Sequence, residues 1–304
     1  MTSQPPLIIL TCMRSFSSLV SSMLGQHSGL YTLPEINPFV ETTLARYVDR
    51  AMIVRPRTLD GLFRAVAEVE FGEQSDDTIE AARAWIKERG RWTITQAMDH
   101  LGDRLAPRRL IDKSPSTVLS DTALNRALHD CGHAYFLHLY RHPCATTRSI
   151  AKITKFSEGG HGRRNATKDP ETSWYTSNRR VMQASTRIAP GQFMSVRGED
   201  VLRDPKTYLP QICDWMGLDT SPEDLTAMMH PERSPFACLG PAAAPFGNDP
   251  NFLRNPIYTQ REIPEQPLSD PLDWDTPTRQ LRAETIAISH QMGYGGGRND
   301  QEKD

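Results

Sequence analysis

The sequence predicts an α/β fold, a central parallel sheet flanked by helices. Short apolar runs without polar alternation, the pattern of strands buried on both faces, recur along the chain. Between them lie segments with apolar residues at helical spacing, and strand–helix alternation of this kind builds parallel sheets with helices on both faces. The composition permits such a core: of 304 residues, 38% are hydrophobic and 24% charged.

The elements follow in order. Pro5-Pro6 precede the run Leu7 to Cys12, the expected first strand. Met13 to Ser17 form a polar break, and then Leu19, Val20, Met23, Leu24 and His27 recur at helical spacing, with Ser17 or Ser18 as N-cap. Phe39, Val40, Leu44, Tyr47, Val48 and Ala51 share one face of a helix expected over residues 37–52. Residues 58–71, 76–89 and 93–105 are further amphipathic candidates. Arg108 to Asp112 reads as the second strand, 117–130 as a helix and Ala134 to Tyr140 as the third strand. Pro143 stands where a first helical turn tolerates proline, opening a helix to about Phe156. Residues 172–189 read as helical and Phe193 to Arg197 as the last strand. Asp204-Pro205 opens a helix lined by Leu209, Ile212, Cys213 and Met216 up to Gly217, with Pro210 counting against it.

Composition excludes several function classes. Lysine plus arginine number 35 and aspartate plus glutamate 37, a formal charge of −2. A broad basic face is therefore absent, and no nucleic-acid partner is expected. The five cysteines are widely spaced with no C-x-x-C pair, which predicts free thiols in a reducing cytoplasm and no zinc site. His133, His138 and His142 on or beside one strand read as core or edge residues, and no metal requirement follows. The apolar run Leu7 to Leu10 is far short of a membrane span or a signal-peptide core, so a cytoplasmic chain without a membrane span is expected. Length alone suggests two domains at roughly 150 residues each, or one large α/β domain. Eleven of the 23 prolines fall between Pro222 and Pro277, which marks either a linker or an irregular covering segment.

In parallel sheets ligands sit beyond the carboxyl ends of the strands. That rule points at residues 13–18, 33–38, 113–116 and 141–149. The first of these, Cys12-Met13-Arg14-Ser15-Phe16-Ser17-Ser18, occupies the position of a phosphate loop. A helix N-terminus favours an anion, and Arg14 offers a planar fork for phosphate or sulfate oxygens. The loop reads equally as a capped helix with a solvated arginine. It is not a Walker A loop, since the glycines and the lysine of that pattern are missing. Arg141 ends the third strand, and Ser149 follows eight residues later on the next helix, so both reach toward one anion.

These motifs resemble, in order, those of the sulfotransferases that use 3′-phosphoadenosine-5′-phosphosulfate (PAPS). Arg14-Ser15-x-Ser17-Ser18-Leu19 looks like their 5′-phosphosulfate loop, and Arg141-x-Pro143 with Ser149 like their 3′-phosphate site. Asp112-Lys113-Ser114-Pro115, Trp174 to Asn178, Val196 to Val201 and Gly247-Asn248-Asp249-Pro250-x-Phe252 resemble further landmarks. The ordered set spans roughly residues 7 to 253. In style it is similar to bacterial small-molecule and carrier-type members and to the tyrosylprotein sulfotransferases, which carry arginine in the first loop. The resemblance implies a P-loop NTPase-like fold in one domain. Residues 5–38 would carry the phosphosulfate loop and base, 39–105 a helical cap, 108–217 the core with the 3′-phosphate site, and 218–304 a proline-rich cover and C-terminal helix.

The resemblance also implies chemistry. PAPS would be the sulfuryl donor, with no metal required, and a hydroxyl or amine of a small-molecule or carrier-bound molecule the acceptor. Sulfuryl transfer, like phosphoryl transfer, asks the protein mainly to position groups and neutralise charge. Glu35 would be the general base, serving where burial lifts its pKa toward neutrality. The same glutamate reads plainly as a complement to the dipole of the helix over 37–52, and Glu41 is the weaker candidate. Lys113 would stabilise the bridging oxygen, Arg14 the phosphosulfate, and Arg141 and Ser149 the 3′-phosphate, with Ser15, Phe16, Ser17, Ser18, Gly247 and Asn248 completing the donor site.

Two departures stand out. Phe16 occupies a position usually glycine, which implies a negative φ there or a strained loop, and a wall for the sulfate pocket. His142 replaces the usual aspartate at a position read as structural. The basic segment Lys155 to Asp169 reads as a loop beside the acceptor or as a solvated loop. Two other functions fit the same sheet: a nucleotide or small-molecule kinase, which the missing Walker lysine disfavours, and a degenerate nucleotide-binding module, which Phe16 would favour.

Overall fold

The computed structural model describes residues 4–157, 169–272, 274–276 and 278–295. Five parallel strands form one sheet in the order β2-β3-β1-β4-β5: β1 (Leu7–Leu10), β2 (Leu30–Thr32), β3 (Arg109–Asp112), β4 (Tyr135–Tyr140) and β5 (Phe193–Arg197). β1 lies at the centre, pairing Leu7 with Ile111 of β3 and with Tyr135 of β4. It is apolar throughout because both its faces are covered. Ile8 and Leu10 face one core and Leu7 and Ile9 the other, as the period of two requires.

The first face is covered by the insertion between β2 and β3 and by later helices. The insertion comprises α2 (Leu44–Val54), α3 (Asp60–Phe71), α4 (Asp76–Glu88) and α5 (Ile94–Leu105), while α1 (Ser17–Leu24) lies on the opposite side of the sheet. α6 (Asp121–Asp130) follows β3, α7 (Pro143–Ser157) and α8 (Pro170–Ser185) follow β4. The second face packs on α1, α9 (Gly198–Arg203), α10 (Pro205–Trp215) and α11 (Pro222–Met228). α12 (Pro250–Arg254) and α13 (Ala283–Gln291) lie in the C-terminal part. Asp-Pro pairs open three of these helices: Asp169, Asp204 and Asp249 each cap their own first turn, and the proline takes N1, where no N–H is needed. Pro210 is accommodated inside α10, so the expected helix there forms despite it.

Several expectations are corrected. β2 was not anticipated; three residues ending in a threonine are too short for a periodic signal. The helix expected over 37–52 starts only at Leu44. Thr43 caps it, and Leu44 N–H donates to Trp92 O at 3.1 Å, so this stretch is tied to the start of α5 and Phe39 and Val40 stay outside the helix. The expected helix over 117–130 divides into a 3₁₀ turn at Pro115–Val118 and α6, because Ser120 caps a new start. Neither Ser17 nor Ser18 is the N-cap of α1; Phe16 is, in the left-handed region, with no side-chain capping bond.

The proline-rich stretch is an irregular strap across the first face and the carboxyl edge of the sheet. Arg64 of α3, wholly buried, pins it: Nη1 donates to Phe246 O at 2.9 Å and Nη2 to Pro235 O at 3.4 Å. Among the described residues no helix is long and apolar enough to cross a membrane.

Candidate active site at the carboxyl edge of the sheet

A cavity of about 1090 Å³ opens beyond the carboxyl ends of the strands. All four segments singled out in the sequence contribute to its wall: Arg14, Phe16, Ser17 and Ser18 after β1, Glu35 and Asn37 after β2, Pro115 and Ser116 after β3, and Arg141 with Ser149 after β4. The strap adds Phe246 to Phe252, Asn255 and Arg261, and the insertion adds Arg55 to Thr58.

The loop after β1 is strained. Arg14 (φ 69°), Phe16 (φ 64°) and Asn37 (φ 52°) are the non-glycine residues with positive φ among those described, and all three line the cavity. Such conformations are disfavoured by roughly 1–3 kcal/mol each and cluster where function needs a particular geometry. Phe16 therefore takes the strained alternative rather than a negative φ. Its ring forms part of the wall, and the Arg141 guanidinium stacks over it at 4.0 Å. Val20 N–H donates to Phe16 O at 3.0 Å as the first bond of α1, so the N–H groups of Ser17, Ser18 and Leu19 lie outside the helical ladder.

The basic side chains form a connected set. Arg141 Nη1 donates to Arg14 O at 3.0 Å, while its buried Nε has no partner among the described residues. Burial pushes the Arg141 guanidinium down to about 10, so it stays cationic at neutral pH where its side chain lines the cavity. Arg14 Nε donates to Ser149 Oγ at 2.9 Å, and Arg14 Nη1 is ion-paired to Asp249 Oδ2. Arg14 thus links Arg141 and Ser149, the two residues expected to reach one anion. Trp174 Nε1 donates to Arg141 O at 2.8 Å and fixes the end of β4.

Lys113 lies beneath the cavity floor with 0% of its side chain exposed. Its three N–H donors are all engaged: with Glu35 Oε1 at 2.5 Å, Ser18 Oγ at 2.9 Å and Asn248 Oδ1 at 3.1 Å. Glu35, with 28% of its side chain exposed, presents the carboxylate between this ammonium and the cavity. Ser18 Oγ also accepts from Asp249 N–H at 3.3 Å, which leaves its own O–H to donate. Glu35 N–H donates to Gly247 O at 2.6 Å, joining the β2 loop to the strap. One ammonium thus ties together the loop after β1, the loop after β2 and the strap.

Of the residues singled out in the sequence, Arg14, Phe16, Ser17, Ser18, Glu35, Arg141, Ser149, Gly247 and Asn248 line the cavity, and Lys113 supports it from below. Ser15 does not line it: its side chain is buried, with Oγ unpartnered among the described residues. Glu41 is committed elsewhere, where the Arg50 guanidinium bonds it and holds its carboxyl below the usual range. His142 is buried with its ring edge-on to Tyr294 at 4.9 Å, and Glu199 Oε1 accepts from its backbone N–H at 2.8 Å. Residues 158–168 of the basic segment lie outside the described residues.

Three wall residues escaped sequence reading. Asp249 was noted only within a motif, Asn37 carried no signal beyond its loop, and Arg57 sits over the Phe246 ring at 4.9 Å from an insertion read only as helical. No sequence rule places two loops a strap apart against each other.

The fold is thus an α/β protein whose strand-end cations gather around a strained loop at one cavity. The chain belongs to the sulfotransferase family, which its sequence matches over residues 5–222. Among solved structures it is similar to the sulfotransferase domain from the curacin biosynthetic pathway, with a TM-score of 0.77 and 24% identity over 97% of this chain and 99% of that one. It is similar also to the sulfotransferase domain of the Synechococcus PCC 7002 olefin synthase, with a TM-score of 0.74 and 25% identity over 96% of each chain. The Mycobacterium avium sulfotransferase STF9 shares the fold more distantly, with a TM-score of 0.54 and 13% identity over 96% of this chain and 77% of that one. No curated protein matches the sequence. The shared fold is the P-loop NTPase-like sheet that the motif order implied.

Proposed function

We propose that the protein transfers a sulfuryl group from PAPS to a hydroxyl, or an amine, of a small-molecule or carrier-bound acceptor. The observation that carries this is the half-buried Arg141, cationic and with a buried, unpartnered Nε, joined to Arg14 and lining the same cavity as the Lys113–Glu35 pair. A buried cation with free donors is stable only where an anion completes it. PAPS supplies an activated sulfuryl group on a leaving nucleotide phosphate.

Arg141, Arg14 and Ser149 bind the phosphate ends of the donor, with the N–H groups at the start of α1 and the Ser18 O–H directed at the phosphosulfate. Glu35 accepts the acceptor's O–H proton as the acceptor oxygen bonds to sulfur and the bond to the nucleotide phosphate breaks. Lys113 orients Glu35 and Ser18 and places a positive charge beside the leaving oxygen, which it reaches by exchanging one of its three partners. Arg55 to Thr58 and Phe246 form the acceptor wall, next to Glu35. The family membership and the domain from an olefin synthase support a biosynthetic acceptor of this kind.

The product nucleotide, 3′-phosphoadenosine-5′-phosphate, tests the reading. At a hundred times its dissociation constant it should stabilise the protein by about 2.7 kcal/mol, with ATP giving far less and Arg141→Ala abolishing the shift. Glu35→Gln should keep the shift and lose about 10²–10⁴ of turnover, the usual contribution of a general base. An equal shift by ATP, or full turnover by Glu35→Gln, would remove the donor assignment or the base assignment respectively.

A further inference from the structure

We infer that Asp249 is a specificity-determining residue that makes the donor site select a terminal sulfuryl group over a terminal phosphoryl group. The inference rests on the donor-site reading above and adds a discriminating charge to it.

Asp249 is the carboxylate nearest the arginine of the β1 loop. Its Oδ2 is ion-paired to Arg14 Nη1, and both side chains line the cavity, with 10% and 22% of Arg14 and Asp249 exposed. Its other oxygen is fixed: Oδ1 accepts from Asn251 N–H at 2.8 Å and Phe252 N–H at 3.4 Å, capping α12. Its own N–H is held by Ser18 Oγ at 3.3 Å. The carboxylate is therefore built into the anion site by three bonds that do not involve Arg14. A guanidinium has five N–H donors. Ser149 and Asp249 take two of them from Arg14, and the remainder are left for a ligand.

The consequence is electrostatic. An esterified sulfate carries one negative charge at any working pH. A terminal phosphate carries between one and two, with a second pKa near 6. A site that held its anion with Arg14 alone would favour the more highly charged phosphate. With the Asp249 carboxylate fixed beside the same guanidinium, the second phosphate charge meets a like charge at short range, where screening by water is weakest. Discrimination by a like charge against the wrong ligand is a general route to selectivity. The abundant competitors of a PAPS site are adenine nucleotides ending in phosphate, so the carboxylate excludes the ligands most often encountered.

The test compares adenosine 5′-phosphosulfate with ADP by titration calorimetry in chelator, at pH 8. The two are isosteric at the terminal group and both lack the 3′-phosphate. Wild type should bind the phosphosulfate more tightly. Asp249→Asn, which keeps a good N-cap and so the fold, should narrow the preference about tenfold, equivalent to about 1.4 kcal/mol. Asp249→Ser should do the same. Lowering the pH from 8 to 5.5 should tighten ADP binding to wild type as its terminal phosphate gains a proton, and tighten it less in Asp249→Asn. An unchanged preference in both variants, with both ligands still binding, overturns the inference and leaves the donor site standing. Binding of neither ligand to wild type, together with no response to 3′-phosphoadenosine-5′-phosphate, overturns both.

Discussion

Phe16 shows how one side chain holds two conflicting demands. Its backbone is left-handed, where glycine is the comfortable residue, yet its ring supports the Arg141 guanidinium at 4.0 Å. Gly198 makes room for it: a Cβ there would stand 3.0 Å from Phe16 Cδ2 and 3.2 Å from Ser15 O. Phe16→Gly should relieve the backbone and remove the stacking, which is worth roughly 0.5–2 kcal/mol at a partly desolvated site. We expect binding of 3′-phosphoadenosine-5′-phosphate to weaken between about twofold and thirtyfold while Glu35-dependent turnover at saturation persists, as calorimetry and steady-state kinetics would show. Unaltered nucleotide affinity would mean that the ring is only wall. The departure from glycine was visible in the sequence; the sign of φ was not, because it is imposed by the contacts of Arg141 and Gly198 with the loop.

At the scale of elements, α3, the β2 loop and the strap meet backbone to backbone. A Cβ on Gly61 would lie 2.2 Å from Glu35 O, and one on Gly247 would lie 2.9 Å from Gly61 Cα. Glu35 N–H is bonded to Gly247 O in the same junction. Gly61→Ala must therefore push the Glu35 backbone away from α3. Misplacing a catalytic group by about 1 Å can lower rates about 10²-fold, and overpacking destabilises by roughly 1–3 kcal/mol. Turnover should fall by at least about tenfold, with a lowered Tm; wild-type turnover would show that the junction is not what positions Glu35. Helices α3, α4, α5, α7, α8 and α10 were legible from apolar spacing, with Pro143 at the start of α7 and Asp204-Pro205 at the start of α10, since those signals are local. β2 and the true start of α2 were not, because the first is three residues long and the second is set by pairing with the segment before α5.

For the whole molecule, buried ionisable groups near the sheet make stability depend on pH in opposing ways. Burial pushes the imidazoles of His138 and His142 down to about 4, and both are neutral in the folded state near neutrality. Their unfolded value is about 6.5, so stability is lost as pH falls from about 6.5 to 4, because the unfolded chain takes up the protons. Burial pushes Asp112 up to about 7, against about 3.9 unfolded, so it destabilises progressively as pH rises from about 4 to 7. His138→Gln, which retains a donor for Asn178 Oδ1, should lose less stability than wild type on acidification through that window. Asp112→Asn should gain on wild type as pH rises through it. Each slope is bounded by about 1.4 kcal/mol per pH unit for one proton. Urea denaturation between pH 4.5 and 7.5 measures both, and parallel curves for wild type and variants would show that these groups titrate alike folded and unfolded.

The sequence by itself determined the fold class and the four loops that meet at the cavity. Strand and helix signals are local, and the carboxyl-edge rule turns their order into a location. It also named Arg14 and Arg141, because cations at strand ends stand out against a nearly neutral chain, and the resemblance to the sulfotransferases added Glu35 and Lys113. The tertiary structure alone revealed how these groups are partnered: Lys113 saturated by Glu35, Ser18 and Asn248, Arg14 joined to Ser149 and Asp249, and the proline-rich strap drawn over the sheet edge by Arg64. Those contacts join residues far apart in the chain, and no local pattern encodes which distant donor meets which acceptor.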